Sequence, residues 1–446
     1  MNMKPDIHVR TMGKVSRRLI PFMIAMFFVN FLDRVNIGFA ALQMNKDLGL
    51  SPSAYGFAAG ILFIGYVAFE VPSNLVLQRV GARVWLARIM ITWGILATLM
   101  AFVFNASSLY TVRALIGIAE AGFFPGLLFY MMGWFPAEER AKAITVFMLG
   151  NPISIIIGGP LSTAILRYSH HFGGFAGWQW LFIAEGVPAI LLGILTFVWL
   201  TEQPKDAGWL EPEERVWLTE KIAEETRAKK ALSRAPVSLR DVFVHGPTLA
   251  FALSKFCVLL SFFGITLWLP QIVKSFGNLD TFQIGFASAL PYVFAALASI
   301  VIGRHSDKTG ERKWHIALPA FIGAAGFVIA SLSANPWIAM GALCVAATGL
   351  WVANTVFWTL PASMLAGATA AVGIAFINAF GNLGGFVGPY VTGWIRQATH
   401  SYVWALAMLG GFLALSGIIV LIVGRSDAVG NERAGQPTSL TKPRAN

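Results

Sequence analysis

Residues 19–40, LIPFMIAMFFVNFLDRVNIGFA, form an almost continuous apolar run that carries two adjacent charges, Asp33 and Arg34, in its second half. A helix of about 20 residues crosses the hydrocarbon core of a bilayer, which is about 30 Å thick. A charge at the centre of such a helix costs about 2.5–3.5 kcal/mol on insertion scales. The run therefore predicts a membrane helix whose two charges face the protein interior and have a structural or functional role there.

The whole chain repeats this apolar pattern. Of its 446 residues, 56% are hydrophobic and 12% are charged, whereas soluble domains carry about 25% charged residues. A helical membrane bundle satisfies its own backbone hydrogen bonds, and a soluble helical core does not fit this composition. The sequence thus predicts an all-α polytopic membrane protein with twelve transmembrane helices, at about 19–40, 54–77, 84–104, 107–131, 143–166, 178–200, 247–270, 281–303, 314–333, 336–364, 368–393 and 402–424.

The basic residues are distributed unequally across the predicted spans. Of the 33 Lys and Arg residues, 26 fall on the side that holds both termini, and the other side has four, namely Lys46, Arg167, Lys274 and Arg396. This asymmetry predicts that both termini are cytoplasmic. The net charge of +11 then reflects orientation, and we expect no nucleic-acid partner. Cys257 and Cys344 lie within spans, so we expect neither a disulfide nor a metal site, and no cofactor other than a coupling proton.

Two halves of similar plan are separated by the longest polar stretch. The domain prediction is a cytoplasmic tail at 1–18, a six-helix bundle at 19–200, a cytoplasmic linker at 201–246 with a surface helix at 211–231, a second bundle at 247–424 and a tail at 425–446. Gly81 and Arg83 match Gly310 and Arg312 at an offset of 229, and Pro160 matches Pro389 at the same offset. These matches predict two pseudo-symmetric bundles that rock about a site between them.

The turn after the eighth span reads Gly303-x-x-x-Asp307-x-x-Gly310-x-Arg312. It resembles the turn between the second and third helices of each half in the major facilitator superfamily, where it latches the cytoplasmic side. An Asp at a helix end pairs with Arg or with a neighbouring helix dipole. Asp307, Gly310 and Arg312, with Arg83 in the first copy, are therefore candidate gating residues, and a plain structural turn is the alternative. The first copy has Asn74 and Gln78 at the Gly and Asp positions, and Gln78 cannot form the ion pair of the latch.

Four charged residues at similar predicted depth form the candidate site. Consecutive residues point about 100° apart on a helix, so Asp33 and Arg34 have different neighbours, and Arg34 shares a face with Asn30. Arg113 and Glu120 lie two turns apart on one face of the fourth span. These charges form either internal salt bridges or a switch, in which Arg34 or Arg113 binds a carboxylate and Asp33 or Glu120 takes up a proton.

Five segments together carry a resemblance to the anion:cation symporter family of the major facilitator superfamily, in its bacterial organic-acid branch. They are FLDRVNIGFA (31–40), GYVAFEVPSNLVL (65–77), RALIGIAEAGFFPG (113–126), GWQWLFIAEG (177–186) and NAFGNLGGFVGPY (378–390). The resemblance covers about residues 16–424. It implies a monomeric inner-membrane carrier that imports organic carboxylates with protons. The family's charged positions fall on Asp33, Arg34, Arg113 and Glu120.

The same resemblance implies six substrate-lining residues, namely Tyr66, Asn151, Gln271, Trp358, Asn378 and Asn382. The chain departs from sugar-acid carriers at Phe31, where they tend to have Tyr, and at Asn151, where some have Gln. The loss of a hydroxyl at Phe31 weighs against a polyhydroxy substrate. A sugar acid, a dicarboxylate and an aromatic acid all stay open.

Other functions fit the sequence less well. A passive facilitator needs no titratable pair, and a proton-coupled exporter shares the fold. A drug antiporter is expected to have a Gly-spaced motif in the fifth span, which GNPISIIIGGPLS (150–162) matches poorly. A non-transporting sensor binds its ligand without moving it. We find no motif for an enzyme nucleophile or for ATP binding.

Overall fold

A computed structural model describes residues 4–232, 246–364 and 368–434, and within them the chain is almost entirely helical. The predicted second tail lies partly outside these residues, as does the end of the predicted linker. The helices are α1 Lys4–Asp47, α2 Pro52–Val80, α3 Ala82–Leu99, α4 Ala106–Glu120, α5 Phe123–Met132, α6 Ala137–Met148, α7 Gly150–Tyr168, α8 Gly177–Trp199, α9 Pro212–Leu232, α10 Gly246–Lys274, α11 Thr281–Thr309, α12 Lys313–Leu332, α13 Pro336–Phe357, α14 Thr359–Met364, α15 Ala368–Thr399 and α16 Val403–Ala434.

Twelve membrane-length apolar spans occur within the described residues, as the sequence predicts. Three of these spans are each divided into two helices. The fourth span divides into α4 and α5, the fifth into α6 and α7, and the tenth into α13 and α14. The first helix is also far longer than its apolar run, because the basic segment before Leu19 continues the same helix.

The break in the fourth span lies next to a predicted site residue. Helix α4 ends at Glu120, and Gly122 has φ +86°, in the left-handed region that favours glycine. The Ser73 hydroxyl donates a 2.5 Å hydrogen bond to the carbonyl of Ala121, which the break releases from the helix. Glu120 therefore occupies the carboxyl end of a short helix rather than the middle of a long one.

The halves each pack their helices tightly, and they meet along three helix pairs. Helix α2 packs against α15, α7 against α11, and α1 against α10. We call the end that holds Lys4 and the linker the linker end, and the opposite end, where α1 finishes at Asp47, the distal end. At the distal end the halves are joined by hydrogen bonds from Asn45 to Gln271, from Ser53 to Gln397, from Tyr55 to the Leu267 carbonyl, and from Arg167 to Asp280.

The linker helix predicted at 211–231 is present as α9. Its Glu214 accepts from Lys14 at 3.0 Å and lies 3.0 Å from the Arg10 guanidinium. Further along, Lys221 pairs with Glu138, and Arg140 pairs with Glu225. These contacts all join the linker to the first half, so α9 is docked on that half at the linker end.

The ion pair of the turn motif in the second half joins two residues of the same turn. Asp307 pairs with Arg312 of its own turn at 2.7 Å, and Gly310 adopts φ +71° at the carboxyl end of α11. The Asp307 side chain is 73% exposed, and its described ion pair does not reach the first half. In the first half, Glu202 accepts from the backbone N–H groups of Ala82 and Arg83, so it caps α3 in the place of an acidic turn residue.

Candidate substrate site

An ion pair between α1 and α4 forms the centre of the site. The Nε of Arg34 donates to Oε1 of Glu120 at 2.6 Å, and the amide of Asn30 donates to the same oxygen at 2.5 Å. Asn30 and Arg34 reach one oxygen because they are four residues apart on one helix face. The other carboxylate oxygen, Oε2, is buried and has no described hydrogen-bond partner.

The two partners differ in their access to solvent. Arg34 keeps 14% of its side chain exposed, whereas only 1% of the Glu120 side chain is exposed. The guanidinium carbon of Arg34 lies 5.0 Å from the centre of the Tyr66 ring, which is a cation–π distance. Arg34 is thus the more exposed member of the pair.

Arg113 forms no described salt bridge with Glu120, although it lies close enough to Asp33, Glu120 and Arg34 to interact electrostatically with all three. Its guanidinium is 1% exposed and donates at 3.3 Å to the backbone carbonyls of Ala58 and Ala59 on α2. Gly117 permits this approach, since a Cβ there would overlap the Leu62 carbonyl. Arg113 therefore joins α4 to α2 in this structure.

Asp33 is likewise held by neutral groups of its own half. Its two carboxylate oxygens accept from the Trp93 indole at 2.8 Å and from the Asn36 amide at 3.1 Å. The side chain is 2% exposed. Because Asp33 and Arg34 point in different directions, only Arg34 takes part in the exposed cluster.

A second polar contact crosses between the halves one helical turn from Tyr66. The Asn378 amide on α15 donates to Oε1 of Glu70 on α2 at 3.0 Å. Glu70 is almost fully buried. This hydrogen bond lies nearer the linker end than the Arg34 cluster, so the cluster sits between this contact and the distal contacts.

Lys255 and Trp358 form a third group in the second half. The Lys255 ammonium donates to the Asn354 side chain at 2.7 Å and lies 4.7 Å from the centre of the Trp358 ring. Lys255 is 3% exposed. Among the described residues no carboxylate forms a salt bridge with it. Trp358 therefore contributes to a buried cation site rather than standing alone as a cavity wall.

The three other residues predicted to line the substrate site do not form one group. Gln271 lies at the distal end, where it accepts from Asn45 at 3.3 Å, so the structure separates it from Arg34. Asn151 has a buried side-chain oxygen without a described partner. Asn382 is half-buried one turn from Asn378 on α15.

Sequence reasoning missed Trp93, Asn36 and Asn354 as partners of buried charges. No spacing marks Trp93 or Asn354, because each contact joins helices far apart in the chain. Asn36 lies three residues after Asp33 and is the one partner of the three that local spacing indicates.

The sequence pattern of the Major Facilitator Superfamily matches residues 23–389. The chain belongs to this superfamily. It is thus a multi-pass membrane transporter, which is the fold and the class that the motifs indicated. A D-xylose–proton symporter of known structure shares the fold with a TM-score of 0.73 at 16% identity, over 91% of this chain and 96% of the other.

Relatives within this superfamily are similar over almost the full length. A protein named putative tartrate transporter from Agrobacterium vitis is 44% identical over 95% of this chain and 97% of its own. A protein named quinolone resistance transporter from Acinetobacter baumannii is 39% identical over 95% of this chain and 96% of its own. The first name agrees with the resemblance to carriers of organic acids.

Proposed function

We propose that the protein is a proton-coupled symporter that imports an organic carboxylate by alternating access across the bacterial inner membrane, with both termini in the cytoplasm. The observation that carries this proposal is the Arg34–Glu120 pair, in which a partly exposed cation neutralises a buried carboxylate with one free oxygen. The 44% identity to a protein named for tartrate supports a carboxylate substrate.

In the proposed cycle, Arg34 exchanges one carboxylate for another. A guanidinium binds a carboxylate through a two-point fork and stays charged, so it suits a substrate anion. When the substrate takes its place beside Arg34, Glu120 is left buried without its cation. A buried, unpaired carboxylate is costly, and proton uptake at Oε2 removes that cost. Substrate and proton then cross together.

The relative positions of the groups also support alternating access. The Arg34 cluster lies between the distal contacts of the halves and the Glu70–Asn378 hydrogen bond. Both sets of contacts join residues of different halves, so each can break as the halves rock. A single chain contains both halves, and a monomer therefore suffices.

The proposal is tested in two steps. A thermal-shift screen of the purified protein against tartrate, sugar acids and aromatic carboxylates selects the ligand, since a ligand stabilises the state that it binds. Uptake of that ligand into proteoliposomes is then measured with and without an inward proton gradient. We expect Glu120→Gln to keep exchange of labelled for unlabelled substrate but to lose accumulation against the gradient.

Glu185 provides a matched control in this experiment. It is another buried carboxylate, and it accepts from Ser162 at 3.0 Å and from the Asn36 amide. No cation pairs with it among the described residues, so Glu185→Gln is expected to keep gradient-driven accumulation. Loss of accumulation in both variants, or in neither, contradicts the role given to Glu120.

Export is the second candidate, because the relative from Acinetobacter baumannii is named for quinolone resistance. Vesicles of opposite orientation distinguish the two directions of transport. An exporter accumulates substrate in inside-out vesicles driven by an interior-acid gradient, whereas a symporter for import accumulates it in right-side-out vesicles with an acidic exterior.

A further inference from the structure

Three of the four basic residues that the sequence assigns to the distal side meet at one cavity. Lys46, Lys274 and Arg396 line a cavity of about 340 Å³ at the junction of the two halves. Lys46 lies in the last turn of α1, Lys274 ends α10, and Arg396 lies in the last turn of α15. Both halves therefore supply positive charge to the same hollow. We call this cavity the distal vestibule.

No acidic side chain is among the described residues that line the vestibule. The nearby acids are engaged elsewhere, since Asp47 accepts from the Trp178 indole at 2.8 Å and Asp280 pairs with Arg167 at 3.4 Å. Like charges at a protein surface normally separate or find counter-ions. Here the contacts between the halves bring three of them together without a described carboxylate.

Two amide side chains also line the vestibule. Gln271 and Asn45 hydrogen-bond to each other at 3.3 Å, and the Gln271 side chain also hydrogen-bonds to the Tyr55 hydroxyl. Amide N–H₂ groups add to the three cations neutral donors that suit an oxygen of an anion.

We propose that the distal vestibule collects small organic anions at the mouth of the transport pathway. A concave site lined by one sign of charge raises the local concentration of oppositely charged solutes and their rate of association, by about tenfold or more. The inference rests on the proposed function in taking the cargo to be a carboxylate. It adds a place of capture that is separate from Arg34.

The rate of thiol labelling by charged reagents reports the local electrostatic potential, and it can be measured without transport. Ser275 lines the vestibule and is exposed, so Ser275→Cys reports on it. Ser107, exposed at the distal end near the start of α4, gives the control Ser107→Cys. The native Cys257 and Cys344 are buried, and mass spectrometry separates their products. The probes are anionic sulfonatoethyl and cationic trimethylammonioethyl methanethiosulfonate.

At low ionic strength, we expect the ratio of anionic to cationic labelling rates to be about tenfold higher at Ser275→Cys than at Ser107→Cys. The excess should fall as salt approaches about 1 M, where the Debye length is about 3 Å. Adding Lys46→Gln, Lys274→Gln and Arg396→Gln should bring the ratio to that of the control. Equal ratios at the two sites, or a ratio unchanged by neutralisation, would overturn the proposal.

Arg167 supplies a matched control for the loss of positive charge. It is the fourth basic residue of the distal side, it pairs with Asp280, and it does not line the vestibule. Arg167→Gln is expected to leave the labelling ratio at Ser275→Cys unchanged. In proteoliposomes, neutralising the vestibule should raise KM several-fold with kcat unchanged. If the wild type transports no carboxylate but the labelling ratio is high, the proposed function fails and the vestibule stands.

Discussion

Arg34 and Glu120 lie on different helices, and the arginine Nε is 2.6 Å from one oxygen of a carboxylate whose other oxygen is buried without a described partner. Asn30 donates to the same oxygen as Arg34, so the hydrogen bonds to this carboxylate converge on one side. The pair is therefore asymmetric. It has a cation with some access to solvent and an acceptor position that faces the protein interior.

The two buried arginines are expected to respond differently to substitution. Arg34→Gln removes the exposed cation and should abolish ligand stabilisation in the thermal-shift assay. Arg113→Gln should instead lower the thermal stability of the free protein, because Arg113 joins α4 to the carbonyls of Ala58 and Ala59. Loss of a hydrogen bond from a buried charged group costs about 1.5–3 kcal/mol. Equal loss of ligand binding without destabilisation in Arg113→Gln would return that residue to the binding site.

Asp33 and Glu120 are both buried carboxylates, but only Glu120 has a paired cation. Asp33→Asn keeps an oxygen for the Trp93 indole and places a donor near Asn36. We therefore expect a loss of about 1–3 kcal/mol in stability with proton-driven accumulation retained. Accumulation in proteoliposomes and thermal unfolding together check this result, and loss of accumulation in a stable Asp33→Asn protein would assign the proton to Asp33.

The Glu70–Asn378 hydrogen bond is expected to hold the halves together on the linker side of the cluster. Its removal by Asn378→Ala should favour opening at the linker end by about tenfold, since a hydrogen bond to a charged group contributes about 1.5–3 kcal/mol. Distances between spin labels on the ends of α2 and α15 measure the two populations. Asn382→Ala, one turn along the same helix, is the control, and an equal shift in both variants would contradict the role of Glu70.

The docked linker provides a prediction about pH. Burial raises the pKa of the Glu214 carboxyl, but the hydrogen bonds from the Glu211 backbone and from Lys14, with the charges of Lys14 and Arg10, outweigh it, so the net pKa is lowered. A lowered pKa stabilises the folded form above the ordinary pKa, and the contribution is lost as pH falls through the folded-state value. Proteolysis of the linker should therefore quicken on acidification below about pH 4.

Glu214→Gln should show fast proteolysis already at pH 7, with a rate that changes little on acidification. Glu213→Gln is the control, because Glu213 is the exposed neighbour on the same helix. If proteolysis of the wild type is independent of pH between 3 and 7, the ion pairs do not hold α9 in place.

Much of the fold follows from the sequence because its signals are local or repeated. The twelve apolar runs and the offset of 229 between Gly81 and Gly310 require only the spacing of residues along the chain. The break at Gly122 is harder to predict, since glycine is common in membrane helices. The hydrogen bond from Ser73 to the Ala121 carbonyl beside the break joins residues far apart in the chain.

The site was predictable in its residue types but not in its pairing. The four-residue spacing of Asn30 and Arg34 indicated that both lie on one face of α1. In the structure, both donate hydrogen bonds to Glu120. The hydrogen bonds of Arg113 to the Ala58 and Ala59 carbonyls depend on how closely α4 approaches α2, which is a property of the packed bundle. Gln271 lies near the end of its helix, as the sequence indicates, but its hydrogen bond with Asn45 depends on how the two halves meet.

The central claim is that binding of a substrate carboxylate at Arg34 causes Glu120 to take up a proton. The most direct test measures proton uptake from a weakly buffered solution when the ligand selected by the thermal-shift screen is added to purified protein. We predict uptake of about one proton per bound ligand by the wild type and by Glu185→Gln. Glu120→Gln should bind the ligand and take up none. Binding without proton uptake by the wild type, or equal uptake by Glu120→Gln, would contradict the account.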